Sequence, residues 1–132
     1  MTAQRLLRVL WPDGGPQPYI VISQRHHERW HVVQITRPRA VRPTRAADVY
    51  FSLGGYAQPP EKGRGTAAEV RWWPTLFADV DHRGPHHAAP DLPPDYPATR
   101  CILDSLPLAP SIIIRTGGGV HAYWLFAEPY EI

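Results

Sequence analysis

The sequence predicts an α+β fold, with helices packed on a largely antiparallel sheet. Three observations carry that expectation. Short β-prone runs punctuate the chain, two segments have helix starts and proline stops, and two β-rich runs near the end flank three consecutive glycines. Sixteen prolines in 132 residues, more than twice the usual ~5 %, exclude long uninterrupted helices and with them a bundle or coiled coil.

The elements follow in order. Residues 19–23 (YIVIS) and 30–35 (WHVVQI) read as strands of a hairpin with a long loop, QRHHER, between them. Residues 49–53 (VYFSL) form a third strand ended by Gly54 and Gly55, and 58–65 (QPPEKGRG) is loop by composition. Thr66 and Glu69 have capping-box spacing, so a helix is expected over residues 67–73, stopped by Pro74. Residues 76–81 (LFADVD) read as a strand, and 82–97 as a Pro/His/Asp-rich loop. Pro97 opens a second helix with Ile102, Leu103 and Leu106 as its buried stripe and Pro107 as its stop. Residues 112–116 (IIIRT) and 120–126 (VHAYWLF) close the chain as a hairpin around Gly117, Gly118 and Gly119.

A chain of 132 residues suits a single domain that folds without staples. Cys101, the sole cysteine, cannot form an internal disulfide, so a reducing cytosol suits the chain. No apolar run approaches the ~20 residues of a membrane span. Arg5 and Arg8 precede no apolar core or cleavage site, so no signal peptide is expected. A cytoplasmic protein without a membrane partner is the expectation.

The net charge of +2 conceals an asymmetry. Residues 1–75 carry 11 basic and 5 acidic side chains; residues 76–132 carry 3 and 7. The densest basic run is Arg37, Arg39, Arg42 and Arg45, held extended or looped by Pro38 and Pro43. Such a loop is a candidate for template phosphates, although charge alone favours an ordinary solvated loop.

The chemistry concentrates in the second half. Strand alternation puts Asp79 and Asp81 on one face with Phe77. Two carboxylates within ~7 Å repel, and a divalent cation offsets that cost. Oxygen ligands without sulfur suit Mg²⁺ or Mn²⁺; the alternative for a lone D-x-D is a strand end whose carboxylates meet water. In the last hairpin, a loop of Gly117–Gly119 would pair Thr116 with Val120 and Arg115 with His121. Arg115 and His121 would then share a face beneath glycines whose amides can approach a phosphate. A carboxylate pair beside an anion site is the constellation for phosphoryl or nucleotidyl transfer.

FADVD, followed by PSIIIRTGGGVHAYWLFAEP, resembles the archaeo-eukaryotic primase superfamily, and most of all the primase-polymerase domains of phages and plasmids. Asp79 and Asp81 match the acidic pair, Gly119, Val120 and His121 the small-x-His motif, and Tyr123 and Trp124 the aromatic pair that follows. The resemblance spans roughly residues 48–130. It implies an RRM-like catalytic unit, about 48–132, behind a small N-terminal β-rich α/β unit, about 1–47. It also implies template-directed synthesis of primers or DNA from nucleoside triphosphates on a single-stranded DNA template, and leaves open a helicase domain or subunit as a further partner. Asp79 and Asp81 would hold Mg²⁺ or Mn²⁺. His121 would contact the incoming phosphates, with Arg115, Thr116 and Gly117–Gly119 as accessory contacts. Thr116 stands where serine is usual. The family's third carboxylate lies on a later strand, whereas Glu128 and Glu131 follow the hairpin closely, with Pro129 placing them in a connection; a truncated catalytic domain or the front of a longer protein is expected. The alternative is a non-catalytic or degenerate nucleic-acid-binding module of a replication protein.

Other clusters are weaker. His82, His86 and His87, and His26, His27 and His31, lack a cysteine pair or an H-E-x-x-H helix, so structural zinc is not favoured. His82 and His87, which follow Asp81, are candidates to touch the site, with solvated loop residues as the favoured reading. Cys101 reads as a core residue, and Trp72 and Trp73 as the end of the first helix with packing as their default.

Overall fold

The computed structural model describes residues 1–42, 48–85 and 87–132. It is α+β, with two α-helices and two antiparallel sheets among the described residues. The chain divides into two compact units, residues 1–74 with 127–132, and residues 75–126. The boundaries of these units fall inside long strands.

The first unit opens with a helix that the sequence reading lacks, α1 (Ala3–Leu10). Thr2 caps it, its hydroxyl accepting the Arg5 N–H at 3.2 Å, and Leu6, Leu7 and Leu10 are its buried face. Strands β1 (Ile20–His26) and β2 (Arg29–Thr36) form a hairpin, and β3 (Val49–Phe51) pairs on the other side of β1, giving the order β2-β1-β3. The expected long hairpin loop is a tight two-residue turn. His27 and Glu28 both take positive φ, +44° and +62°, and pairing runs out to His26 and Arg29. Polar composition hid this, because long polar side chains also suit exposed strand ends.

Ile20, Val21 and Ile22 are buried with Trp11, which is fully enclosed. Burying each such side chain is worth on the order of 2 kcal/mol. The Trp11 indole N–H has no hydrogen-bond partner among the described residues. Its ring packs so tightly on β4 (Gly55–Tyr56) that a Cβ at Gly55 would stand 2.7 Å from it.

The expected first helix is a correction. Only one 3₁₀ turn forms, Ala67–Glu69, and the chain then extends as β5 (Val70–Asp81). The cap itself is present, the Glu69 carboxylate accepting from the Thr66 N–H and hydroxyl, both at 2.7 Å. Val70, Trp72 and Trp73 are β-branched or aromatic, and pairing of Gly55 with Trp72 and Tyr56 with Val70 outweighs the helix signal. Trp72 and Trp73 are therefore half-buried strand residues. Pro74 is tolerated because β5 has by then passed the end of β4.

In the second unit, α2 (Tyr96–Asp104) is capped by Asp95, whose carboxylate accepts the Ala98 N–H at 2.9 Å. Leu103 is buried with Val120 and Ala122, and Val80, Tyr96, Ile113 and Trp124 pack around them. The expected stripe is narrower than three residues. Thr99 and Leu103, one turn apart, face inward, while Ile102, Leu106 and Cys101 are exposed. A small sheet meets only one row of a short helix.

Strands β6 (Ile112–Arg115) and β7 (Gly119–Glu131) complete a second sheet of order β4-β5-β7-β6. Strand β7 is almost twice its expected length and contains Glu128, Pro129 and Glu131, which are not in a connection. At Pro129 the strand has run beyond Tyr123, the last residue paired to β6 by the described register, so little ladder is lost. Glu131 forms an ion pair with Arg71. No helix among the described residues is long and apolar enough to cross a membrane.

Candidate functional site

The second unit gathers the chemistry-bearing residues on β5 and β7. Their ends are joined by a hydrogen bond from the His82 N–H to the Gly118 carbonyl at 3.0 Å. Asp79 on β5 and His121 on β7 face one another, with His121 Nε2 3.7 Å from Asp79 Oδ1. Two residues along, Asp81 Oδ1 lies 3.5 Å from Nε2 of His87. Two parallel histidine–carboxylate pairs result, all four side chains between a third and just over a half exposed.

Aromatic side chains fix the His121 ring. Phe77 meets it edge-on at 5.2 Å and also packs on Tyr123. The Tyr123 hydroxyl stands 3.5 Å from His121 Nδ1. Burial, reinforced by the negative charge of Asp79, pushes the Tyr123 phenol up to about 12, so it keeps its proton at neutral pH. The phenol can donate to Nδ1 or accept from it, and Nε2 is the nitrogen that faces Asp79.

The hairpin register corrects the placement of Arg115. Ile114 pairs with His121, and Arg115 with Val120. Arg115 is therefore on the opposite face from His121, its guanidinium 4.3 Å from the Tyr96 ring centroid. The one-residue difference arises because Gly119 belongs to β7 rather than to the loop, and a slip of one exchanges the faces of a strand.

The glycines have structural reasons. Gly117 has φ +94°, a conformation that other residues rarely adopt. A Cβ on Gly119 would strike the Val80–Asp81 backbone, 2.8 Å from Asp81 Cα, and one on Gly118 would crowd the His87 ring at 3.2 Å. Gly119 thus lets β7 approach the strand that carries the aspartates. The Thr116 N–H is used within the turn, donating to the Gly119 carbonyl at 3.0 Å.

His87, for which the sequence favours solvent over contact with the site, takes the second of these places, against Asp81. Reciprocal backbone hydrogen bonds with Gly84, at 2.9 and 3.2 Å, fold it back onto Asp81. A histidine six residues after an aspartate carries no sequence signal for such a return. His86 and Arg45 lie outside the described residues.

The arginines of the basic run are in the first unit. Arg37 stacks on Tyr19, its guanidinium 3.7 Å from the ring centroid, and donates to the Gln17 carbonyl. Arg39 pairs with Asp13 at 2.6 Å. The backbone of Arg42 is bracketed by the Gln34 amide, which accepts from its N–H and donates to its carbonyl. Two of these side chains thus serve local contacts.

Among the described residues, no three His, Cys, Asp or Glu side chains gather as a ready metal cage. Asp79 and Asp81 still fit Mg²⁺ or Mn²⁺ by donor chemistry, because Mg²⁺ is commonly held by one or two carboxylates while substrate phosphates and water complete its shell. Comparisons of the chain with family models, with curated proteins and with solved structures give no match.

Proposed function

We propose that this domain is a metal-dependent nucleotidyltransferase that extends or primes DNA on a single-stranded template. The observation that carries the reading is the meeting of His121 with Asp79, at 3.7 Å, on the strand that also bears Asp81. An anion-binding ring beside a same-face carboxylate pair supports nucleotide use more than either feature alone.

Asp79 and Asp81 would hold Mg²⁺ or Mn²⁺, which when bound would neutralise phosphate charge and activate the phosphorus for attack. The remaining roles belong to the chain. His121, with Nε2 on the side of Asp79, donates to a phosphate oxygen. Phe77 and Tyr123 hold the ring so that this donation costs little reorganisation. Gly119 sets the spacing of the two strands. Arg115, directed to the helical face, is not assigned a phosphate contact.

The test is nucleotide incorporation on a primed and an unprimed single-stranded template, with Mg²⁺ or Mn²⁺ and either ribo- or deoxynucleoside triphosphates. Incorporation that is lost in Asp79→Ala and Asp81→Ala, and reduced about 100-fold or more in His121→Ala, is the expected result. Incorporation that survives in both aspartate variants overturns the reading. A second reading is a nucleic-acid-binding module without catalysis, which the exposed Trp30 and Tyr50 rings and the Arg64 guanidinium on the β2-β1-β3 sheet favour. That reading is supported if the protein binds template yet neither incorporates nucleotide nor binds Mn²⁺ more tightly when a nucleoside triphosphate is present.

A further inference from the structure

The sheet β2-β1-β3 of the first unit presents a face that the proposed chemistry does not use. Trp30 on β2 lies opposite Arg25, and Tyr50 on β3 lies opposite Ser23. Ser23 and Arg25 are two apart on β1, so all four share one face. The two aromatic rings meet edge to face at 4.9 Å, and both residues are about two-fifths exposed. Two guanidinium groups border Trp30, Arg64 at 3.7 Å from its ring centroid and Arg25 at 5.8 Å. The Arg64 position is fixed by its backbone. Its carbonyl accepts the Tyr56 hydroxyl at 3.1 Å, and a side chain on Gly65, at φ +77°, would strike the Tyr56 ring. A cleft of ≈ 340 Å³, lined by Val21, Ser23, Ser52, Arg64, Thr66 and Trp73, adjoins Arg64.

We infer that this face binds single-stranded nucleic acid, with unpaired bases stacking on Tyr50 and on the Trp30–Arg64 sandwich while Arg25 and Arg64 meet the backbone phosphates. Charge complementarity selects that occupant. Among the described residues no carboxylate forms an ion pair with Arg25 or Arg64. A second copy of the chain would bring the same positive groups together. A polyanion with flat π-faces answers both the charge and the exposed rings. This assignment would supply a template surface for the proposed enzyme, but its test needs neither nucleotide nor metal, so the two readings fail separately.

The experiment is a fluorescence-anisotropy titration of the 132-residue chain against labelled oligo-dT of about 15 nucleotides, within the span of one such surface. The parent is expected to bind, less tightly as salt rises. Trp30→Ala and Tyr50→Ala should each weaken binding about 5- to 100-fold, and Trp30→Phe, which keeps a ring, by less. Arg64→Gln should flatten the salt dependence by about 0.7 log units for each phosphate it no longer neutralises. Should Trp30→Ala unfold, as circular dichroism would reveal, Tyr50→Leu and Arg64→Gln carry the test. Parental affinity in these variants overturns the inference. So does equal affinity for a duplex, whose bases are already stacked, or self-association of the chain without oligonucleotide binding.

Discussion

The two hairpins reverse direction by different means. In β1–β2 the chain turns on His27 and Glu28, both at positive φ although neither is glycine. In β6–β7 it turns beside Gly117 at φ +94°, and Gly119 then lets β7 lie against β5. The first turn is local and carries its conformational cost within itself. The second is a tertiary device, in which one glycine supplies the turn and another the strand spacing. The contrast teaches that a glycine run can have separable jobs, and that a turn can lack its usual residues when strand pairing on both sides enforces it.

Several substitutions can break or sharpen that contrast. The largest effect belongs to Gly119→Ala, whose Cβ would meet backbone and not a movable side chain. A loss of ~3 kcal/mol or more in urea unfolding is expected, and a loss below that of Gly117→Ala would remove the spacing role. Next is Tyr123, a buried phenol on the second hairpin. Its folded-state pKa of about 12 lies above its ordinary value of 10.0, so its contribution is intact below pH 10 and is lost as pH rises through 12. Tyr123→Phe should remove up to ~2 kcal/mol of that alkaline loss, measured by unfolding at fixed pH values. Asp79→Asn should bring the phenol down by removing a nearby negative charge, seen in its ultraviolet titration. Gly117→Ala should cost ~1–2 kcal/mol through backbone conformation, since no atom of the described residues would crowd its Cβ. The smallest effect is a gain. Replacing His27 and Glu28 together by Asn and Gly should stabilise the first hairpin by ~1 kcal/mol, and no gain would mean that the turn is unstrained.

What the sequence conveyed, and what it concealed, follows the same division between local and tertiary causes. Strand alternation placed Asp79 and Asp81 on one face, and the motif spacing brought His121 to them. The α+β class, the strand that carries the aspartates and the buried Leu103 were also legible. Register was not. The three glycines look alike in sequence, and only the packing of Gly119 on Asp81 shows that it belongs to β7, which carries Arg115 to the opposite face. The Thr66–Glu69 signal was read correctly as a cap and wrongly as a helix, because a capping box specifies one turn while Val70, Trp72 and Trp73 specify what comes next. Helix α1 had a signal that the sequence reading lacks, Thr2 as a cap before Leu6, Leu7 and Leu10 at helical spacing. His87 reaches Asp81 through a loop return that no local pattern encodes.

The enclosed indole of Trp11 has an optical consequence. Emission from an indole shifts to longer wavelength as surrounding dipoles reorient about its excited state. Trp11 has no solvent contact and, among the described residues, no partner on its N–H, whereas Trp30 is 40% exposed. Trp11 should therefore emit at the short-wavelength end of the spectrum and resist acrylamide, while Trp30 emits further to the red and is quenched first. With Trp72, Trp73 and Trp124 replaced by Phe, the two remaining indoles would form a two-colour gauge, one colour fading only when the α1 core opens and the other responding to whatever touches the outer sheet face.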